Sequence, residues 1–229
     1  MRGWPPRHES LRRLDDERAY TDSDLLVQRA DVAQAAQTLR GLEFVRVDRD
    51  EDWCGPGPKY AHTFSRARDG ALIDLHWRLS GASAAPEDEW STLSVHTRPL
   101  EVGGQRIAAL DESASAVLVA LHAAHHGASR SVALAELERA AQILGPDVWS
   151  EAARLAERLG AGEQFAAGLR FAPLGARLAD HLELAAPSSV DLWLRANPGT
   201  NGASLLDKFT QTSGILGRLE ICLRVAQVG

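Results

Sequence analysis

The sequence predicts an α+β fold in which a sheet-bearing first half is followed by a helical bundle. Three observations carry that reading. Up to residue 110, short apolar runs alternate with polar residues at the two-residue period of a strand. Beyond it the chain becomes rich in Ala and Leu, with apolar positions at helical spacing. The connections between those helical stretches are only a few residues long, which makes the helices antiparallel neighbours packed on the sheet. The chain therefore divides at 1–110 and 111–229.

The first twenty residues are charge-dense (HESLRRLDDERAY) and read as a solvated helix or tail. Asp24–Gln28 reads as a short buried strand, and Asp31 caps a helix over Asp31–Arg40 that Gly41 stops. Leu42–Val47 alternates as a strand, and Asp50–Lys59 (DEDWCGPGPK) is a turn-rich surface loop. Tyr60–Ser65 and Ala71–Leu79 flank Asp69-Gly70, a hairpin signal. Ser80–Trp90 reads as a loop, and Arg98–Ile107 as a small hairpin turning on Gly103-Gly104. Helices are expected over Ser113–His126, Val132–Leu144, Asp147–Leu159, Glu163–Phe171 and Leu174–Leu184, then over Val190–Arg195 and Leu205–Gln227.

With 229 residues, 45% of them hydrophobic and 24% charged, the chain buries a real core. Lys plus Arg number 25 against 31 Asp plus Glu, a net charge of -6 that argues against a coat for duplex nucleic acid. Cys54 and Cys222 form no CxxC pair, so neither a disulfide framework nor a zinc site is signalled. No apolar run reaches the roughly 18 residues of a spanning helix, and the first residues lack the apolar stretch of a signal peptide. The expected location is the cytoplasm, with no membrane partner.

The chemistry concentrates in two strands. In an extended backbone Asp22 and Asp24 present two carboxylates on one face at the mouth of an apolar run. Like charges held that close repel unless a cation lies between them. Asp74 sits amid Leu72-Ile73-Asp74-Leu75-His76-Trp77, where an unpartnered carboxylate is costly. If the two strands are neighbours, the three acids converge on a hard, oxygen-preferring cation such as Mg²⁺. Two such ions suit phosphoryl chemistry. His76 shares a face with Asp74 and can orient a phosphate or a metal-bound carboxylate, or simply pack. His122 and His126 have the spacing of a helical metal pair, yet no HExxH glutamate is present, and packing with a favourable helix C-terminal dipole is the expected role. The tryptophans are scattered, as core or interface residues are.

Taken together, Arg2-Gly3, Tyr20, Asp22-Ser23-Asp24-Leu25-Leu26-Val27, Ile73-Asp74-Leu75-His76-Trp77-Arg78-Leu79 and Leu121-His122-Ala123-Ala124-His125-His126 resemble a bacterial family of uncharacterised nucleotidyltransferases within the DNA polymerase β-like superfamily. The resemblance runs over residues 1–185. It implies a small mixed sheet with flanking helices, in which Asp22 and Asp24 bind Mg²⁺ (Mn²⁺ as the alternative) and triphosphate. Asp74 completes the metal site and assists in deprotonating the acceptor. Arg2, Gly3, Arg18 and His76 would serve the phosphates. The implied reaction moves NMP from an NTP, ATP by default, to a hydroxyl or phosphate of a small molecule, peptide or protein.

Where the superfamily has Gly-Ser, Gly3 is followed here by Trp4-Pro5-Pro6, which removes two amide donors and a hydroxyl from the phosphate cradle. That departure motivates a second reading, a nucleotidyltransferase-like binding or accessory protein without turnover. A transferase acting on RNA ends is a third. The chain also begins two residues ahead of Gly3, where related chains carry further helical sequence, so a shortened start is expected.

Overall fold

The computed structural model describes residues 22–48, 59–127 and 131–186. The aliphatic run after Asp22 forms β1 (Asp22–Leu26), and a 3₁₀ turn over Arg29–Asp31 leads into α1 (Val32–Gly41). The expected strand over residues 42–47 shrinks to β2 (Val45–Arg46). Its first residues are consumed in leaving α1: Glu43 adopts a left-handed φ of 66°, and the Phe44 amide donates back to the Leu39 carbonyl at 3.0 Å. β3 (Ala61–Arg66) and β4 (Ala71–His76) form the expected hairpin, whose turn closes through Gly70 at φ 69°.

These strands make one mixed sheet in the order β1-β4-β3-β2, with β1 parallel to β4 and the other pairs antiparallel. Side chains alternate across it. Ile73 and Leu75 of β4, with Phe64 of β3, face α1, where Ala36, Leu39 and Phe44 close a small core. Leu72, Asp74 and His76 consequently take the opposite face. At the far end of the sheet Asp48 accepts from the Thr63 amide at 2.7 Å and from Arg46 at 3.0 Å, and also binds Lys59.

The stretch read as a loop over Ser80–Trp90 contains the start of α2 (Pro86–Ser94). Pro86 occupies the first turn, where its missing N–H costs nothing, and Glu87, Asp88 and Glu89 complement the positive end of the helix. A separate hairpin follows, β5 (Thr97–Val102) and β6 (Gln105–Leu110), turning on Gly103 and Gly104 at φ 57° and 75° as the Gly-Gly pair predicts.

The bundle comprises α3 (Glu112–His126), α4 (Ser131–Ile143), α5 (Pro146–Arg158), α6 (Gly162–Arg170) and α7 (Pro173–His181). Asp111 caps α3 by accepting from the Ala114 amide at 2.9 Å. Val117, Ala120 and Leu121 of α3 pack with Leu137, Trp149, Leu155, Phe165 and Leu169 in the larger core. Leu79, just past β4, is buried in that core, and Leu26 of β1 packs against it. The sheet and the bundle therefore meet beside the C-terminal ends of β1 and β4. None of the described helices is long and apolar enough to cross a membrane. The elements expected over residues 1–20, 190–195 and 205–227, and nearly all of the 50–59 loop, lie outside the described residues, as do Cys54 and Cys222.

Candidate functional site

The parallel pairing of β1 with β4 sets Asp24 opposite Asp74 and Leu26 opposite His76. Asp24 and His76 reach each other diagonally, with His76 Nε2 2.9 Å from Asp24 Oδ1. One ligand-capable atom from each of Asp24, Asp74 and His76 falls within 4.8 Å of the others. Asp24 is open to solvent, whereas Asp74 Oδ1 is buried without a hydrogen-bond partner. A buried, unpartnered carboxylate oxygen beside a second carboxylate is the cost noted above, and it asks for a positive ligand.

Asp22 shares the face of Asp24 by alternation, one step nearer the start of the strand, opposite Leu72. It is exposed and stands outside this group of three. Of the acids singled out in the sequence, the structure brings Asp24 and Asp74 together, and His76 is the third member. Arg2, Gly3 and Arg18 lie outside the described residues.

The surroundings of Asp24 hold its carboxyl below the usual value: the His76 hydrogen bond is the main cause, opposed by burial and aided by the charges of His76 and His122. Tyr60 stacks on the His76 ring, centroids 5.9 Å apart and planes 13° from parallel. Burial pushes the Tyr60 phenol up, its hydrogen bond with Ser80 pulls the other way, and the charges of Asp74 and Asp24 raise it further. Ser80 Oγ lies 3.1 Å from His125 Nδ1, which ties the sheet to the end of α3.

Ser80 is placed by the turn that follows His76. Arg78 Nε donates to Glu89 Oε1 at 3.1 Å, and its Nη2 donates to the Ala82 and Ala84 carbonyls at 3.3 and 2.9 Å. The Leu79 amide donates to Glu89 Oε2 at 2.8 Å. Glu89 is 1% exposed, and burial pushes its carboxyl up against the pull of these partners. Trp77 packs on His62, ring centroids 4.7 Å apart, with the Arg29 guanidinium over its ring. Tyr60, Ser80, Glu89 and His125 are residues that sequence reasoning missed as parts of this region. The signal for Glu89 was the acid run after Pro86, which starts a helix.

The donor set fits a divalent cation. Asp24 and Asp74 offer oxygen, and the bare Asp74 Oδ1 lacks any other partner. His76 Nε2 is already engaged by Asp24, which suits an orienting role toward that carboxylate. His122 and His126 stand edge to face, centroids 4.5 Å apart, but belong to no cluster of three metal-capable groups among the described residues. His122 is exposed rather than packed in the core.

A family model described as uncharacterised nucleotidyltransferase matches residues 16–174, which takes in the sheet, both acidic strands and most of the bundle. No curated protein matches the chain.

Proposed function

This chain belongs to the uncharacterised nucleotidyltransferase family, and on that premise we propose that it moves NMP from an NTP to a hydroxyl or phosphate of an acceptor in a Mg²⁺-dependent reaction. The observation that carries the reading is the register pairing of Asp24 with Asp74, one oxygen of which is buried and bare. Two carboxylates so placed hold a cation that neither could hold tightly alone. When bound, Mg²⁺, or Mn²⁺ in its place, supplies charge neutralisation at the α-phosphate and the departing pyrophosphate.

The protein's own groups then have separable tasks. Asp24 is kept ionised and aimed by His76. Asp74 takes the proton of the attacking hydroxyl as the new O–P bond forms and the bond to pyrophosphate breaks. Asp22 extends the acidic edge toward the triphosphate, and Arg2, Gly3 and Arg18 serve the phosphates. The catalytic unit is residues 1–110, with the helical part, 111–229, shaping the acceptor side. ATP is the default nucleotide, and the acceptor is a small molecule, a peptide or a protein in the cytoplasm.

Incubation of the full chain with each labelled NTP, Mg²⁺ and a lysate of the source organism tests this. Label appears in an acceptor with the wild type and fails to appear with Asp24→Asn. Tight NTP binding with no pyrophosphate release across acceptor classes would instead favour the binding-protein reading that the Gly3-Trp4-Pro5-Pro6 sequence motivates.

A further inference from the structure

His76 serves Asp24 only if its ring points the right way. Its Nε2 lies 2.9 Å from Asp24 Oδ1, and the contact is made at the surface, with the Asp24 side chain 74% exposed and that of His76 21%. A hydrogen bond between two such groups does not by itself hold an imidazole, because the torsion that turns the ring is broad and water competes for both partners. The register neighbours of His76 offer no polar grip, since they are Leu26 of β1 and Ala61 of β3. What lies flat against the imidazole is Tyr60, with centroids 5.9 Å apart and planes 13° from parallel, inside the range of an offset stack.

Tyr60 is itself placed by the main chain. It stands immediately before β3, whose first residue, Ala61, pairs with His76, and its carbonyl accepts from the Trp77 amide at 3.0 Å. The base of the tyrosine is therefore locked onto the residue that follows His76. Its hydroxyl end is hydrogen-bonded to Ser80 in the turn after β4. Ser80 Oγ in turn lies 3.1 Å from His125 Nδ1 on α3. The half-buried ring is thus held at both ends.

We infer that Tyr60 is a positioning residue whose stacked ring fixes the plane of the His76 imidazole, so that Nε2 stays on Asp24 and Asp24 stays aimed at the cation it shares with Asp74. The inference rests on the nucleotidyl-transfer reading above. Tyr60 acts through His76 and does not itself meet the cation.

The test is a paramagnetic titration of the full chain with Mn²⁺ alone. Tyr60→Leu is expected to weaken Mn²⁺ binding by about 3- to 10-fold, the worth of one aromatic pair. Tyr60→Phe keeps the ring and binds as the wild type. In a His76→Gln background Tyr60→Leu costs nothing further, because the group it acts through is gone. A tyrosine that merely supported the sheet would weaken binding equally in both backgrounds, which overturns the inference. A loss in Tyr60→Phe equal to that in Tyr60→Leu puts the role in the hydroxyl and also overturns it. Equal affinity in Tyr60→Leu and the wild type overturns it too, while leaving nucleotidyl transfer standing. A wild type that binds no Mn²⁺ overturns the parent reading, and this inference with it. Should Tyr60→Leu not fold, proton NMR of the metal-free wild type decides. The carbon-bound ring protons of His76, identified by their loss in His76→Gln, are displaced by the ring current of the stacked phenol, and undisplaced protons overturn the inference.

Discussion

Asp24 and Asp74 face each other across a parallel strand pair, although the chain passes through α1, β2 and β3 between them. Two acids at one register position repel, and Asp74 keeps an oxygen without a partner. Neither feature favours folding, so the pair is held by the strands around it. A bound positive ligand would relieve both.

Removing either charge should therefore separate activity from stability. Asp24→Asn and Asp74→Asn are each expected to lower nucleotidyl transfer by at least about 100-fold, the scale of losing one charged group at a reacting phosphate. In metal-free buffer the thermal midpoint of Asp74→Asn should hold or rise, because the repulsion is gone, whereas that of Asp24→Asn should fall slightly as the charged hydrogen bond with His76 is weakened. A labelled-NTP assay and a melting curve on the same sample check both.

His76 aims Asp24 and need not bind the cation itself. His76→Gln should weaken Mn²⁺ binding by about 10- to 100-fold, the usual cost of deleting a partner that orients a metal-binding side chain. Paramagnetic titration with Mn²⁺ reads this directly. Loss of all Mn²⁺ binding would make His76 a ligand instead.

Asp48 gives a pH signature. Arg46, Lys59, His62 and the Thr63 amide hold its carboxyl far below the ordinary 3.8, against the opposing cost of burial. A depressed folded value means that its stabilisation is complete above pH 3.8 and fades as the pH falls toward the folded value. Asp24 contributes with the same sign. Urea midpoints at pH 7 and pH 3 should therefore differ less in Asp48→Asn than in the wild type, with Asp48→Asn the less stable at pH 7 by about 1–2 kcal/mol.

Gly168 lets α6 cross α3 at close range. A Cβ there would sit 1.9 Å from the Ala120 carbonyl oxygen and 2.8 Å from its carbon, both backbone atoms with no room to give. Gly168→Ala should cost about 3 kcal/mol or more in chemical denaturation, at the upper end of overpacking.

The sheet and the bundle were legible because period-two and period-3.6 patterns differ sharply on either side of residue 110. The neighbourhood of Asp24 and Asp74 was legible for a different reason: acids embedded in aliphatic strands are expensive, so each demands a partner. Helix α2 was not, because Ser80-Gly81-Ala82-Ser83 biases the eye toward a loop, although Pro86 and the three acids after it are a helix start. The part played by α3 was also hidden. Spacing places His122 and His126 on one face of a helix, but the Ser80–His125 contact that joins α3 to the sheet depends on the turn that Arg78 and Glu89 lock. Asp22 shows the remaining limit, since alternation fixes its side of the strand and not its distance from a shared ion.

Among the described residues β1 closes one edge of the sheet. An open edge is a template on which another chain can add a strand, and acidic side chains along it discourage that addition. Asp22 and Asp24 on that strand therefore oppose self-association of the protein. Neutralising both should leave a molecule more prone to aggregate at high concentration, even where each copy remains well folded.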